Sequence, residues 1–188
     1  MGRRLIFVGP PGAGKGTQAA ILIDRYDIPH LSTGDMLRSA IAEGSELGKK
    51  VEGVMAAGDL VSDELMVGII QERLSLKDCE NGYILDGFPR TLAQAEALDN
   101  MLDKRCCGID AVIYFEVNDQ ELFERVAERA KNSGRADDTA DVLKSRLATY
   151  RQQTAPLLPY YEAKGLIREL DGMQSIEAVA EKIAQVLA

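Results

Sequence analysis

Leu5-Ile6-Phe7-Val8 leads directly into Gly9-Pro10-Pro11-Gly12-Ala13-Gly14-Lys15-Gly16-Thr17, and the residues that follow can coil as a helix. An apolar strand, a glycine-rich turn and a helix start, in that order, build a cradle for phosphate groups. The glycines let backbone N–H groups crowd round an anion, the helix N-terminus adds favourable partial charge, and Lys15 can reach the outer phosphates. From Gly9 to Lys15 the spacing satisfies G-x-x-x-x-G-K. Gly16 stands where the general motif has Ser or Thr, and the hydroxyl arrives one place later at Thr17. The alternative is an ordinary glycine-rich turn. The strand before it and the lysine within it favour the cradle.

Beyond this stretch, apolar β-branched runs recur with helical patterns between them, which points to an α/β domain on a parallel sheet with helices on both faces. Strands are expected at Arg4–Val8, 29–31, 83–85, 111–117 and 166–170. Helices are expected at 15–25 and at 91–104, where Leu92, Ala95, Leu98 and Met101 fall on one face. Asn118-Asp119-Gln120-Glu121 reads as a capping box opening a helix with Leu122, Val126 and Ala130. Leu143, Leu147 and Tyr150 mark another helix, which Pro156 and Pro159 should kink or end. Ser175 can cap a last helix whose apolar stripe is Ile176, Val179, Ile183 and Val186.

Two segments break the alternation. Residues 32–61 hold two helical patterns and no strand, the second with Leu47, Val51, Val54 and Met55, and read as a small helical insertion. Lys131-Asn132-Ser133-Gly134-Arg135-Ala136-Asp137-Asp138 reads as a polar loop between helices. Projections of this kind from a phosphate-binding sheet are natural moving lids.

A chain of 188 residues suits one domain with a real core. Its 30 acidic against 22 basic residues give a net charge of −8, which repels nucleic acid and anionic bilayers on average. Phosphate binding must therefore rest on locally gathered arginines. No stretch has the length of a membrane span, and the start lacks the apolar segment of a secretory signal. Cys79, Cys106 and Cys107 form no C-x-x-C pair and make a poor metal site; inert thiols and a cytoplasmic location are expected.

Tyr83-Ile84-Leu85-Asp86 is an apolar strand ending in a carboxylate. Alone it would more often mark a turn, but beside a phosphate cradle an aspartate there can hold Mg²⁺, directly or through water. Asp86-Gly87-Phe88-Pro89-Arg90 is more specific. Together with the cradle, with His30-Leu31-Ser32-Thr33-Gly34-Asp35-Met36-Leu37-Arg38 and with Ser133-Gly134-Arg135-Ala136-Asp137-Asp138, it makes the chain resemble the adenylate kinases, within the nucleoside monophosphate kinases. The resemblance runs from about residue 4 to the final helix, and the Gly16-Thr17 departure is itself a mark of that family.

The resemblance implies a five-stranded parallel sheet of the P-loop NTP-hydrolase type, with a monophosphate-binding insertion at 32–61 and a short lid at 128–138. It implies transfer of the ATP γ-phosphoryl group to AMP, giving two ADP, by a monomer whose partners are ATP, AMP, ADP and Mg²⁺. ATP would lie against Gly12, Ala13, Gly14, Lys15, Gly16 and Thr17, with Arg129 where the lid begins. Gln174 would fall near its adenine, at a place where several members carry Lys and the contact is largely backbone. AMP would meet Thr33, Arg38 and the backbone around Asp59, Leu60 and Val61. Gly87, Phe88, Pro89 and Arg90 would hold its phosphate and base, and Gln94 would read the adenine edge. Arg135 and Arg146 would clamp both nucleotides, completing a catalytic group with Lys15, Arg90 and Arg129. Asp86 and Thr17 would hold Mg²⁺, mainly through water. The lid contains no cysteine, so no zinc is expected.

Elementary chemistry agrees. Phosphoryl transfer needs in-line placement and cations at the moving oxygens more than covalent help. A phosphate acceptor is already ionised near neutral pH, so no strong general base is required, and the one histidine, His30, is assigned to packing. Arginine's planar fork matches phosphate oxygens and keeps its charge. Arg125, a helical turn before Arg129, is a further candidate.

Three other readings are distinguishable. A UMP/CMP kinase shares the cradle and Asp-Gly-Phe-Pro-Arg, but tends to carry Ala at the place of Thr33 and Asn at that of Gln94. A glutamine amide can pair with adenine as donor and acceptor at once. A nucleotide-sensing module would need the cradle and Asp86, but not a second nucleotide pocket or the lid arginines. A nucleic-acid-stimulated ATPase is disfavoured by the acidic balance and by an aromatic content of 5%.

Overall fold

Five strands, β1 (Arg4–Val8), β2 (His30–Ser32), β3 (Tyr83–Asp86), β4 (Ala111–Glu116) and β5 (Ile167–Asp171), form one sheet in the order β2-β3-β1-β4-β5. Every neighbouring pair is parallel. These features come from a computed structural model that describes residues 3–133, 135 and 137–187. Gly134 and Ala136 of the expected lid, with Met1, Gly2 and Ala188, lie outside the described residues.

Strand alternation divides the core in two. Leu5, Phe7 and Ile84 point to one face, where α1 (Lys15–Tyr26), α6 (Asp119–Ser133), α7 (Ala140–Thr149) and α9 (Ile176–Val186) bury Leu22, Val126, Leu143 and Ile183. Ile6, Val8 and Leu85 point to the other, under α4 (Asp63–Leu74), α5 (Leu92–Asp103) and α8 (Leu157–Glu162), which supply Ile70, Leu98 and Tyr161. The remaining helices, α2 (Thr33–Ala42) and α3 (Glu46–Ala57), fill the expected insertion and cross closely. A Cβ on Gly48 would come within 2.1 Å of the Ala40 carbonyl.

This topology fixes where a ligand can sit. Neighbours β1 and β3 send their chains in opposite directions, β1 to β2 through α1 on one face, β3 to β4 through α5 on the other. The loops part at the C-terminal ends of these two strands and leave a crevice there.

Both expected N-caps are made, while the Glu121 carboxylate of the expected box accepts from Arg125 Nε at 2.7 Å. Asn118 Oδ1 accepts the Glu121 backbone N–H at 2.9 Å, and Ser175 Oγ accepts that of Ala178 at 3.2 Å. Other details differ from expectation. On α5 the buried residues are Gln94, Ala95, Leu98 and Leu102, while Leu92 is exposed, because the helix rolls its Gln94 edge toward the crevice. Ile176 is exposed at the start of α9, and Leu187 closes the stripe instead. Helix α6 continues through Ser133 into the expected loop, with Lys131 bonded to Glu128 one turn back at 2.7 Å. After α7 the chain makes one π-helical stretch, Tyr150–Thr154; Pro156 then caps α8, and Pro159 sits in its first turn, where the missing N–H costs little.

Candidate active site

The crevice is a cleft of about 480 Å³ at the C-terminal rim of the sheet. Its floor is the loop between β1 and α1, and Gly12, Ala13, Gly14, Lys15, Gly16 and Thr17 all line it. Gly12 (φ 88°) and Gly14 (φ 91°) adopt the left-handed conformation, which turns successive N–H groups toward one point. A Cβ on Gly12 would also strike Val126 Cγ2 at 2.9 Å. Lys15 Nζ folds back across the loop and donates to the carbonyls of Gly9 (2.9 Å) and Pro10 (3.1 Å). Burial, with Arg90, Arg146 and Arg129 nearby, outweighs the Asp86 charge and pushes the Lys15 ammonium down to about 8.

At the end of β3, Asp86 Oδ2 lies 3.2 Å from His30 Nε2 on the adjoining β2. Burial works to raise this carboxyl, but the His30 hydrogen bond and the Lys15 charge hold it below the ordinary carboxylate range. His30 therefore does more than pack: it faces the cleft and holds the aspartate. The turn continues through Gly87 (φ 82°), whose carbonyl accepts from Thr33 Oγ1 at 2.9 Å and from Arg90 Nε at 2.8 Å. Phe88, 1% exposed, anchors the turn in the core rather than lining the cleft. Pro89 borders a small adjoining cavity of about 50 Å³ shared with Gly87 and Arg90.

Arginines reach the cleft from five segments. Arg38 comes from α2, Arg90 from the turn after β3, and Arg129, Arg135 and Arg146 from α6, the segment after it and α7. Each is engaged by carboxylates or carbonyls. Arg129 holds Asp138 through two bonds of 2.6 Å. Arg146 donates to Asp137 at 3.1 Å, Arg38 to Asp35 at 2.6 Å, and Arg135 to Asp35 at 3.0 Å. Asp35 and Asp137 thereby tie α2 to the segment between α6 and α7, since Arg38 also lies 3.4 Å from Asp137. Desolvation depresses Arg90 and pushes Arg146 down to about 10, while the Asp138 hydrogen bond raises Arg129.

Thr33, Asp59, Leu60, Val61 and Gln94 also line the cleft, and Leu37, Met55 and Met66 add to its apolar wall. Gln174 lies outside this lining, exposed in the turn after β5, where its Nε2 donates to Asp171 Oδ2 at 3.2 Å. Arg125 bonds Glu121 at 2.7 Å and the Gly172 carbonyl at 2.8 Å. Sequence reading assigned no role to Asp35, Asp63, Asp137, Asp138 or Thr154. Their signal is partnership across the fold: Thr154, on the π-helical stretch, donates from Oγ1 to the Arg90 carbonyl at 2.8 Å.

A parallel sheet whose first strand feeds a glycine-rich loop, with a lysine and arginines converging above it, defines a phosphate-binding-loop nucleotide protein. The profile of the family described as adenylate kinase matches residues 7–166. An adenylate kinase of Parvibaculum lavamentivorans is 53% identical over 187 residues, covering 98% of this chain and 91% of its own. One of Caulobacter vibrioides is 53% identical over 183 residues (97% and 96%), and one of Xanthomonas campestris 50% over 184 (98% of each). The chain belongs to the adenylate kinase family, the nucleoside monophosphate kinases that pass the γ-phosphoryl group of ATP to AMP and yield two ADP.

Proposed function

We propose that this cleft carries out that transfer with the residues assigned below. The loop N–H groups from Gly12 to Thr17 and the Lys15 ammonium hold the ATP phosphates. Arg38 and Arg90 hold the AMP phosphate, Thr33 and the 59–61 backbone flank its base, and Gln94 reads the adenine edge. An oxygen of the AMP phosphate attacks the γ-phosphorus in line; that P–O bond forms as the bond to the β–γ bridging oxygen breaks, and ADP leaves on both sides. No proton need move. Arg129, Arg135 and Arg146 surround the three equatorial oxygens, where charge is spread in the transition state.

The carrying observation is the convergence of Lys15, Arg38, Arg90, Arg129 and Arg146 on one cleft from separate segments in a chain of net charge −8. Concentrating cations there against the overall balance is intelligible if the cleft takes two polyanions.

The donor set also fits Mg²⁺. Asp86, kept anionic, and Thr17 present oxygen to the same cleft, and no group of three or more His, Cys, Asp or Glu able to hold a metal occurs among the described residues. One or two protein oxygens with water and phosphate completing the shell is how Mg²⁺ is ordinarily held. When bound, it would neutralise charge on the β- and γ-phosphate oxygens.

The contacts between Asp35 and Arg135 and between Arg38 and Asp137 support closure of the 32–61 insertion and the 128–138 lid over both nucleotides, excluding water as a competing acceptor. Three free cysteines suit a reducing, cytoplasmic setting. No helix among the described residues is long and apolar enough to cross a membrane. A monomer is proposed from the resemblance.

The test offers ATP and Mg²⁺ with AMP, CMP, UMP and GMP in parallel and measures the diphosphate formed. AMP should be strongly preferred. Arg90→Ala should lower kcat by about 10²–10³-fold while ATP binding persists. Turnover surviving that change would show the acceptor phosphate to be misplaced, and equal use of CMP or UMP would remove the adenylate assignment.

A further inference from the structure

The Gln94 side chain has little freedom. Its Oε1 accepts the Arg90 backbone N–H at 2.8 Å, and its Nε2 donates to Asp63 Oδ1 at 2.8 Å. The same Oδ1 accepts the Thr91 hydroxyl at 2.8 Å, and that hydroxyl caps α5 by accepting the Gln94 backbone N–H at 3.2 Å. Gln94 is 2% exposed yet lines the cleft.

An isolated amide can turn end for end at little cost, because its oxygen and nitrogen are nearly the same size. Here it cannot. A carboxylate oxygen only accepts, so it will not face Oε1, and a backbone N–H only donates, so it will not face Nε2. One orientation remains, with the second lone pair of Oε1 and the second hydrogen of Nε2 left for the cleft.

We propose that Asp63 is a specificity-determining positioning residue. By fixing the Gln94 amide, it makes the acceptor site take a base edge with a 6-amino donor beside an N1 acceptor, and refuse the reversed edge of a 6-oxopurine. This rests on the reading that Gln94 faces the acceptor base. Asp63 touches neither substrate; it acts from the first residue of α4, through Gln94 and Thr91.

The experiment compares kcat/KM for AMP and IMP, with ATP as donor, in the wild type, D63A, D63S, D63N and Q94L, with a thermal melt of each. D63N keeps an acceptor oxygen at the same place and should retain the wild-type AMP-to-IMP ratio. D63A and D63S, the latter too short to reach the amide but keeping a polar residue at the helix start, should lower that ratio about tenfold. Equal losses for AMP and IMP in D63A and D63S mark a merely structural residue and overturn the proposal. So do an unchanged ratio in both, or a D63N ratio as relaxed as that of D63A. Q94L separates the two levels. If it abolishes the AMP preference while D63A does not, the fault lies with Asp63 alone; if AMP preference survives Q94L, the base is read elsewhere and both readings fall. A measurement on the wild type stands apart from folding of the variants. One Nε2 proton of Gln94 should exchange with solvent more slowly than the other in amide-resolved NMR, and equal open-amide exchange for both overturns the proposal.

Discussion

Binding of ATP should draw a proton from solvent, and the size of the effect follows from Lys15. The ammonium is held at about 8 because burial strips its hydration and three arginines crowd it, against one favourable carboxylate. Phosphate oxygens beside Nζ favour the charged form, so the bound-state value rises and the site must be protonated to bind well. The sign is therefore uptake on binding and weaker affinity as pH climbs past 8. With a value of about 8, about half of the empty sites lack the proton at pH 8, and about nine in ten at pH 9. Uptake should be about 0.5 proton per ATP at pH 8 and about 0.9 at pH 9, with affinity about tenfold lower at pH 9 than at pH 7, equivalent to about 1.4 kcal/mol. Arg146, at about 10, adds only about a tenth of a proton at pH 9. Terminal phosphates, which titrate near about 6, are already ionised in this range. Calorimetric titration with ATP alone in two buffers of different ionisation enthalpy reads the proton count directly. K15M should abolish the uptake. Identical heats in both buffers from pH 7 to 9 would refute the reasoning, because the lysine would then be charged in the empty site.

Two further substitutions probe the turn after β3. Gly87→Ala places a Cβ 2.5 Å from Thr33 Oγ1 at a φ of 82°, so stability should fall by about 1–3 kcal/mol and the KM for AMP should rise; an unchanged denaturant midpoint and KM would contradict the geometry. Thr154→Val leaves the Arg90 carbonyl without its hydroxyl donor in a buried setting, and should cost about 1–3 kcal/mol and lower kcat, with ATP affinity kept and Thr154→Ser restoring both. Equal melting temperatures and turnover for Thr154→Val and wild type would remove Thr154 from the support of Arg90.

The phosphate loop was legible because its meaning is local: the spacing of Gly9, Gly14 and Lys15 after an apolar run states its own geometry. The sheet was legible for a related reason, as buried parallel strands read as apolar runs. Helix α4 was not anticipated. Leu65, Met66, Val67, Ile69, Ile70 and Leu74 surround it almost evenly, since α4 meets the core with Met66, Ile70 and Leu74 and partly buries several of the others. No single stripe marks such a helix. The π-helical stretch was half visible: prolines foretold a break near 156, but not that the turn before it would swing Thr154 onto Arg90. Among residues lining or bracing the cleft, short motifs made the glycines, Lys15 and the arginines legible, but not the carboxylates that pair with them, even where, as at Asp35, the carboxylate lies within such a motif. Asp35 meets Arg135 across 100 positions, and Asp63 meets Gln94 across 31. Nothing in the neighbourhood of either residue announces the other.

The aspartates at 35, 137 and 138 have a consequence for how an acidic protein greets an acidic guest. Bare guanidinium groups packed in so small a volume would push one another apart and unsettle the two arms that bear them. Asp35, Asp137 and Asp138 pair with these guanidinium groups and hold them in place, as phosphate oxygens would on the proposed reading. On that reading an arriving nucleotide would exchange anion for anion, and the arms would change partners instead of being recruited from solvent.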